Sequence, residues 1–345
     1  MAHMDIFKSD AFSMVSITEA LNNVPFQPTF LRDLKLFTPK PVRTIAVSVE
    51  EKNGTLSLIQ TSERGAPLGE ADREKRKIRD FRTRRIAKHD RLMADEIQGI
   101  RAFGSETELM QVVDEINQRM NGPTGLMRDV ELTWENQMLG AIQGVVLDAD
   151  GSTTIYDYFT EFGISQATEI DFDLDNAAPA SGAVRKKCDQ VVRQMMKAAS
   201  GGWVPGRTYV MGLCGDAFWD DLVAHAEVRQ TYLNTQEAKD LRGGTAYQSF
   251  QYGGITWVNY RGTDDGSTVA INTDKCRFIP VNGNGVFQMA HSPAETFDYV
   301  NTPGQPVYGM VIPDEKRNMF VDLEVYSYSL PICTRPAMLQ RAKRT

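Results

Sequence analysis

Residues 105–142 read SETELMQVVDEINQRMNGPTGLMRDVELTWENQMLGAI. Ser105 is followed three residues on by Glu108, the capping-box pattern that satisfies free backbone donors at a helix start. Leu109, Val112, Val113, Ile116 and Met120 recur at helical spacing on one face, while Glu108, Gln111, Asp114, Glu115 and Arg119 stay polar elsewhere on the wheel. Asn121-Gly122-Pro123 interrupts this pattern, because Gly loosens the backbone and Pro cannot donate to the preceding turn. The stripe resumes through Met127, Val130, Trp134, Met138 and Ile142. The expectation is one long helix kinked near Pro123, or two helices in line. At about 1.5 Å per residue it reaches across a domain. On periodicity alone an ordinary amphipathic core helix pair is the better reading, and it is the surrounding segments that change it.

Before the helix lies the most basic stretch of the chain, with Arg73, Lys75, Arg76, Lys77, Arg79, Arg82, Arg84, Arg85, Lys88 and Arg91 within residues 73–91. Two readings stand: a contact patch for an acidic neighbour or nucleic acid, or a solvated strand or helix face softened by Asp72, Glu74, Asp80 and Asp90. Upstream, residues 60–72 hold Gly65, Pro67 and Gly69 and little to fill a core, which reads as a long exposed hairpin or loop. Val42, Thr44, Ile45, Val47 and Val49 make a strand, and Leu56, Leu58 and Ile59 a second one after the Lys52-Asn53-Gly54 turn. Residues 4–38 read as an arm kept extended towards its end by Pro25, Pro28, Pro39 and Pro41. Its Phe26, Phe30, Leu31, Leu34, Leu36 and Phe37 must be covered by the chain's own body or by a neighbouring subunit.

After the helix, Val145-Val146-Leu147 and residues 155–159 flank Asp148-Ala149-Asp150-Gly151 as a hairpin, with Gly151 supplying a positive φ. Ile170, Phe172 and Leu174 alternate with Asp171, Asp173 and Asp175, which reads as a strand with one acidic face. An EF-hand loop starting at Asp171 finds Asn176 and Gly182 where it needs Gly and Glu, so a calcium site is set aside. Residues 183–199 form a helix ended by Ser200-Gly201-Gly202. Residues 207–214 form a strand, and Asp216 is placed to cap a short helix. A polar loop over 231–252, strands at 255–260, 268–271 and 286–290, a Pro-broken irregular stretch, and a last strand over 319–328 complete the pattern.

The 345 residues are 41% hydrophobic, enough for a real core, so a disordered chain is excluded. A net charge of −7 argues against a protein that coats nucleic acid, which needs a cationic surface. Cys188, Cys214, Cys276 and Cys333 lack the short spacings of zinc or redox motifs and read as reduced, buried, small hydrophobes. Residues 1–3 look like a cloning remnant ahead of a native start at Met4. No secretory signal and no apolar run long enough to span a membrane is present. A nucleophile elbow, a Walker loop, a dinucleotide fingerprint and a His-Glu zinc helix are all absent. Asp148/Asp150 and Asp220/Asp221 are acidic pairs of a kind common on surfaces, and His225 has no second ligand at spacing. No catalytic, metal or cofactor site is expected.

Three segments carry a resemblance. Pro25-Phe26-Gln27-Pro28-Thr29-Phe30-Leu31 leads to Leu36-Phe37. Gly212-Leu213-Cys214-Gly215-Asp216-Ala217-Phe218-Trp219 is followed by a polar loop and Phe250-Gln251-Tyr252-Gly253-Gly254-Ile255. Phe320-Val321-Asp322-Leu323-Glu324-Val325-Tyr326-Ser327 runs on to Leu330-Pro331-Ile332 and Arg335-Pro336. In this order the chain resembles the major capsid proteins of tailed phages, specifically the lambda-type (E-type) branch. The resemblance implies an α+β chain with the Hong Kong 97-like viral capsid fold. It implies an N-terminal arm over 4–43 and an extended loop over 44–91. A peripheral domain over 92–200 would contain the spine helix at 105–142, an axial domain would span 201–285, and 286–345 would return to the peripheral domain and the C-terminal strand.

The implied function is a head shell of a tailed double-stranded DNA phage, assembled from hexamers and pentamers in the host cytoplasm. Implied partners are further copies of the chain, a separate scaffolding protein, a portal, a decoration protein, and packaged DNA held without sequence-specific binding. A membrane is not among them. An encapsulin-like cargo shell is the alternative within the same fold. A hydrolase using Asp148, Asp150 or His225 is the alternative outside it. The subunit contacts expected from this reading are Phe26, Phe30 and Leu31 on the arm and Arg73, Lys75, Arg76, Arg79, Arg82, Arg84 and Arg85 in the basic stretch.

Overall fold

The structure is a computed structural model that describes residues 29–52, 76–94, 96, 108–176, 178–233, 249–263, 268–314, 316 and 319–345. The expected cap at Ser105, the strand at 56–59 and the loop at 60–72 lie outside the described residues. The chain enters through a short helix α1 (Phe30–Asp33) and strands β1 (Thr38–Pro41), β2 (Ala46–Lys52), β3 (Arg76–Arg82) and β4 (Ile86–Met93). The quoted stretch forms two helices, α2 (Glu108–Asn121) and α3 (Leu126–Gln143), divided at the Gly-Pro interruption. Gly144 closes α3 in the left-handed region at φ 89°. A Cβ there would stand 2.2 Å from the Phe159 ring, so only glycine can turn the chain at this point.

Strands β5 (Val145–Leu147) and β6 (Thr154–Asp157) form the expected hairpin, with Gly151 at φ 67°. The second strand stops earlier than the pattern implied, because Asp157 turns from strand residue to helix cap. Its carboxylate accepts from the backbone N–H groups of Phe159 and Thr160 and starts helix α4 (Tyr158–Phe162). After β7 (Ile170–Asp171) the chain forms α5 (Ala183–Lys197), β8 (Tyr209–Cys214), α6 (Asp216–Ala224), α7 (Ala226–Leu233), β9 (Ser249–Tyr252) and β10 (Ile255–Asn259). It ends with β11 (Lys275–Val281), β12 (Phe287–His291), β13 (Tyr308–Pro313), β14 (Phe320–Ser327), β15 (Ser329–Cys333) and β16 (Gln340–Lys343).

Several expectations are corrected. Phe172 and Leu174 are buried as the alternation requires, but strand pairing ends at Asp171, and Asp173 turns through φ 52°. The cap of α6 is Gly215, not Asp216; a side chain at 215 would collide with the Asn272 carbonyl, and Asp216 occupies the first turn, where its charge suits the helix dipole. The polar loop expected over 231–252 is helix at its start and strand at its end. Val269 and Ile271 are buried without belonging to a strand. Strand β14 is followed by two more, and β11 and β13 were not foreseen.

The largest sheet has six strands in the order β7-β16-β11-β8-β10-β9. Both of its faces are covered. Phe172, Phe218, Trp257 and Phe278 pack with α5 and α6 on one side, while Met211, Leu213, Val258 and Ile279 join the core on the other. Smaller sheets β1-β12-β15 and β13-β14-β4 flank α3. Helix α3 touches α1, α2, β4, β5, β11, β14 and β15, which makes it the structural spine. All four cysteines are free and buried.

Candidate subunit-contact surface

Strands β2 and β3 pair antiparallel, with Val47 opposite Phe81 and Ala46 opposite Arg82. Strand period two sends Val47, Val49 and Phe81 inward, where all three are buried. Phe81 meets Tyr156 at 5.4 Å and Tyr158 at 5.7 Å edge-on and stacks on Phe162 at 6.1 Å. Arg79 is used on the same side. Its Nε donates to the Glu161 carbonyl at 2.7 Å, and its guanidinium lies 4.6 Å over the Phe162 ring. The other face carries Ser48 bonded to Asp80 at 2.6 Å, Ile78 at 63% exposure, and Arg82.

The basic stretch therefore divides. Lys88 pairs with Asp129 at 2.6 Å, Arg91 with Asp322 at 2.7 Å, and Arg85 with Glu295 at 3.5 Å. The Arg91 guanidinium also stacks at 3.9 Å on Phe320, and its hydrogen bond to Asp322 holds that carboxyl below its usual range. Arg82 and Arg84 are exposed and their side chains make no ion pair among the described residues. Arg73 and Lys75 lie outside the described residues, as does the Arg76 side chain at the start of β3.

On the arm, Phe26 lies outside the described residues. Phe30 is half-buried against the core and meets the Tyr260 ring edge-on at 6.2 Å. Leu31 is fully buried inside its own chain. Helix α1 has no side-chain cap of its own from Thr29. Glu135, reaching out of α3, accepts from the Leu31 N–H at 3.0 Å and from the Tyr260 hydroxyl at 3.0 Å. Arg32 adds an ion pair to Glu131 one turn earlier on α3. Burial pushes the Glu135 carboxyl up to about 7, against the opposing pull of its hydrogen-bond donors.

Exposed apolar residues sit elsewhere, and the sequence reading did not find them. Phe297 stands 99% exposed, and Ile45, Val300, Val311, Ile312 and Met319 are exposed too. The only sequence signal for them was apolar type in Pro-rich surroundings, which carries no information about exposure.

The acidic residues considered for hydrolysis have structural work. Asp150 accepts from Ser152 and Thr153, backbone and hydroxyl alike, and these bonds pull its carboxyl well below the usual range. His225 ends α6, and its Nδ1 accepts from the Glu227 N–H at 3.3 Å.

The pattern of the family described as phage major capsid protein E matches residues 13–344. The chain belongs to that family. It is 26% identical over 361 residues to the major capsid protein of Salmonella phage Felix O1, covering 95% of both chains. It is 24% identical over 353 residues to that of Pseudomonas phage KPP10, covering 96% of this chain and 97% of the relative. The capsid structure of cyanophage P-SCSP1u matches its fold with a TM-score of 0.51 at 11% identity, over 93% of this chain and 89% of the other. The fold is the Hong Kong 97-like α+β fold. As a family member the chain is a phage capsid component and a structural protein, which sets aside both the cargo-shell and the hydrolase alternatives. Among the described residues no helix is long and apolar enough to cross a membrane.

Proposed function

We propose that this capsid protein builds the icosahedral head of a tailed double-stranded DNA phage from hexamers and pentamers, and that the outer face of the β2–β3 ribbon contacts a neighbouring copy. The observation that carries this reading is the pair Arg82 and Arg84, exposed and without an ion pair among the described residues, with the exposed Ile45 opposite Thr83 between them and the exposed Ile78 on the same strand face as Arg82. Unpaired cations next to apolar surface make a poor solvent face and a good partner face for an acidic chain of net charge −7. Each contact in a shell can be weak because every subunit binds several neighbours.

In this reading residues 4–43 act as an arm, 44–91 as an extended loop, 92–200 and 286–345 as the peripheral domain, and 201–285 as the axial domain. Assembly takes place in the host cytoplasm with a separate scaffolding protein and a portal. The resemblance to lambda-type capsids supports these partners. The acidic balance suits a wall that holds DNA without reading its sequence.

The test is the triple variant Arg82→Glu, Arg84→Glu, Arg85→Glu, examined by negative-stain electron microscopy and circular dichroism. Loss of closed particles with an unchanged spectrum is the expected result. Shells of normal yield and size from this variant would remove the ribbon from the interface.

A further inference from the structure

Glu135 stands apart from every other carboxylate in the described structure. It sits on the spine helix, 1% exposed, and is tied to two segments far away in the chain. One oxygen, Oε1, takes both the Leu31 N–H and the Tyr260 hydroxyl. The other, Oε2, is buried with no hydrogen bond of good geometry, and the Arg32 N–H at the same helix start is the one further donor that favours the anion. A carboxylate anion has about four acceptor sites and wants them filled. An unfilled buried charge is costly, and the group escapes the cost by taking up a proton.

The surrounding charges do not offset it. On α1 the nearest charged groups are Arg32 and Asp33. Arg32 spends its guanidinium on Glu131, and the Asp33 charge disfavours a second anion. On its own helix Glu131 is taken by Arg32 and Arg128. From the end of β10 comes only the neutral Tyr260 hydroxyl. No cation is paired with Glu135 among the described residues.

We infer that Glu135 is a proton-operated latch, which in its neutral form holds the segment Thr29–Asp33 down on the spine helix and which weakens that hold when it loses its proton. When the segment is docked, the carboxyl is desolvated and capped by α1. When the segment lifts, water reaches Glu135 and the anion becomes cheap. The docked state therefore binds the proton more tightly than the lifted state. The sign follows from linkage: a carboxyl raised to about 7 from an ordinary value of 4.5 favours docking fully at acid pH and loses that contribution as pH rises through about 7. Acid fastens the segment, and alkali loosens it.

Hydrogen–deuterium exchange at the Leu31 amide reads the latch directly, because that N–H is the one bonded to Glu135. The unassembled full-length protein is measured from about pH 6 to about pH 8.5, each rate referenced to the unfolded chain at the same pH. The docking equilibrium, and with it the protection, should fall about tenfold across that range. Glu135→Gln carries a permanently neutral isostere, so its protection should stay level. Tyr260→Phe removes a donor that favours the anion, so the midpoint should move to higher pH. Level protection in the natural protein, or a parallel fall in Glu135→Gln, would overturn the latch. If Glu135→Gln fails to fold, the Tyr260→Phe midpoint decides alone, and an unmoved or lowered midpoint overturns it. Particle formation is not a readout, so failure of the latch and failure of the ribbon contact are told apart.

Discussion

The six-stranded sheet and the β2–β3 ribbon are both built from β-branched and aromatic residues, yet they hold their shape by opposite means. The sheet is covered on both faces. Its Trp257 is fully buried among Phe172 at 5.7 Å, Phe278 at 5.4 Å and Phe218 at 6.1 Å, and its Nε1 donates to the Tyr252 carbonyl at 3.1 Å. The ribbon has two strands, one covered face and one bare face. A lone two-stranded ribbon is marginal in water. This one is held by Phe81 in its aromatic socket and by Arg79 on the Glu161 carbonyl. The comparison teaches where a shell protein keeps its rigidity. The closed sheet sets the subunit's shape, and the ribbon, anchored by one face, leaves bare the face proposed above to meet a neighbouring copy.

The contrast is broken most severely at Trp257. Trp257→Ala should cost about 3–5 kcal/mol of global stability, seen as a large fall in the denaturant midpoint, because the cavity opens between layers that cannot collapse. A loss below about 1 kcal/mol would show that the sheet is not the rigid element. Phe81→Ala should cost less globally, about 2–3 kcal/mol at most, since the ribbon can lift before the body unfolds. Amide exchange should rise across β2 and β3 and stay unchanged in β8 and β11. Uniform exchange across all four strands would mean that ribbon and sheet unfold as one. The smallest effect is expected at Lys88→Ala, where both partners are about half exposed and the pair with Asp129 is worth less than about 1 kcal/mol. A larger loss would make that ion pair a structural tie of β4 to the spine.

Much of the helical framework was legible in the sequence. The stripes at 109–120 and 127–142, the interruption at Gly122-Pro123, and the helix at 183–197 are local patterns, and local patterns survive folding when the buried face is apolar. Strands were harder where proline lay inside them. β1 holds Pro39 and Pro41, β11 holds Pro280, and β15 holds Pro331. β1 and β15 are edge strands, where a missing donor costs no ladder bond. Pro280 is still paired with Val210 of β8, but it lies past the last pairing of β11 with β16 at Phe278 and Gln340, so on the β16 side no ladder donor is missing. Proline therefore broke the pattern on the page without breaking the strand in space.

The contact residues show the same division. Composition grouped Arg79 with Arg82 and Arg84, and nothing in the run distinguishes them. Pairing with β2 turned Arg79 towards Phe162 and left Arg82 on the bare face. Leu31 was expected to need a cover, and its own chain supplies it.

The sequence by itself determined the long helices α2, α3 and α5, the reduced state of the cysteines, the Gly151 hairpin and, through the order of its segments, the capsid family. It did so because periodicity, turn chemistry and segment order are written along the chain. Tertiary structure alone decided which arginines remain unpaired, that Asp157 begins a helix, and that Glu135 is buried. On the helical wheel Glu135 is one more polar residue beside Trp134. Its burial comes from α1 and Tyr260, brought from 104 and 125 residues away, and contacts of that range are fixed only when the layers close.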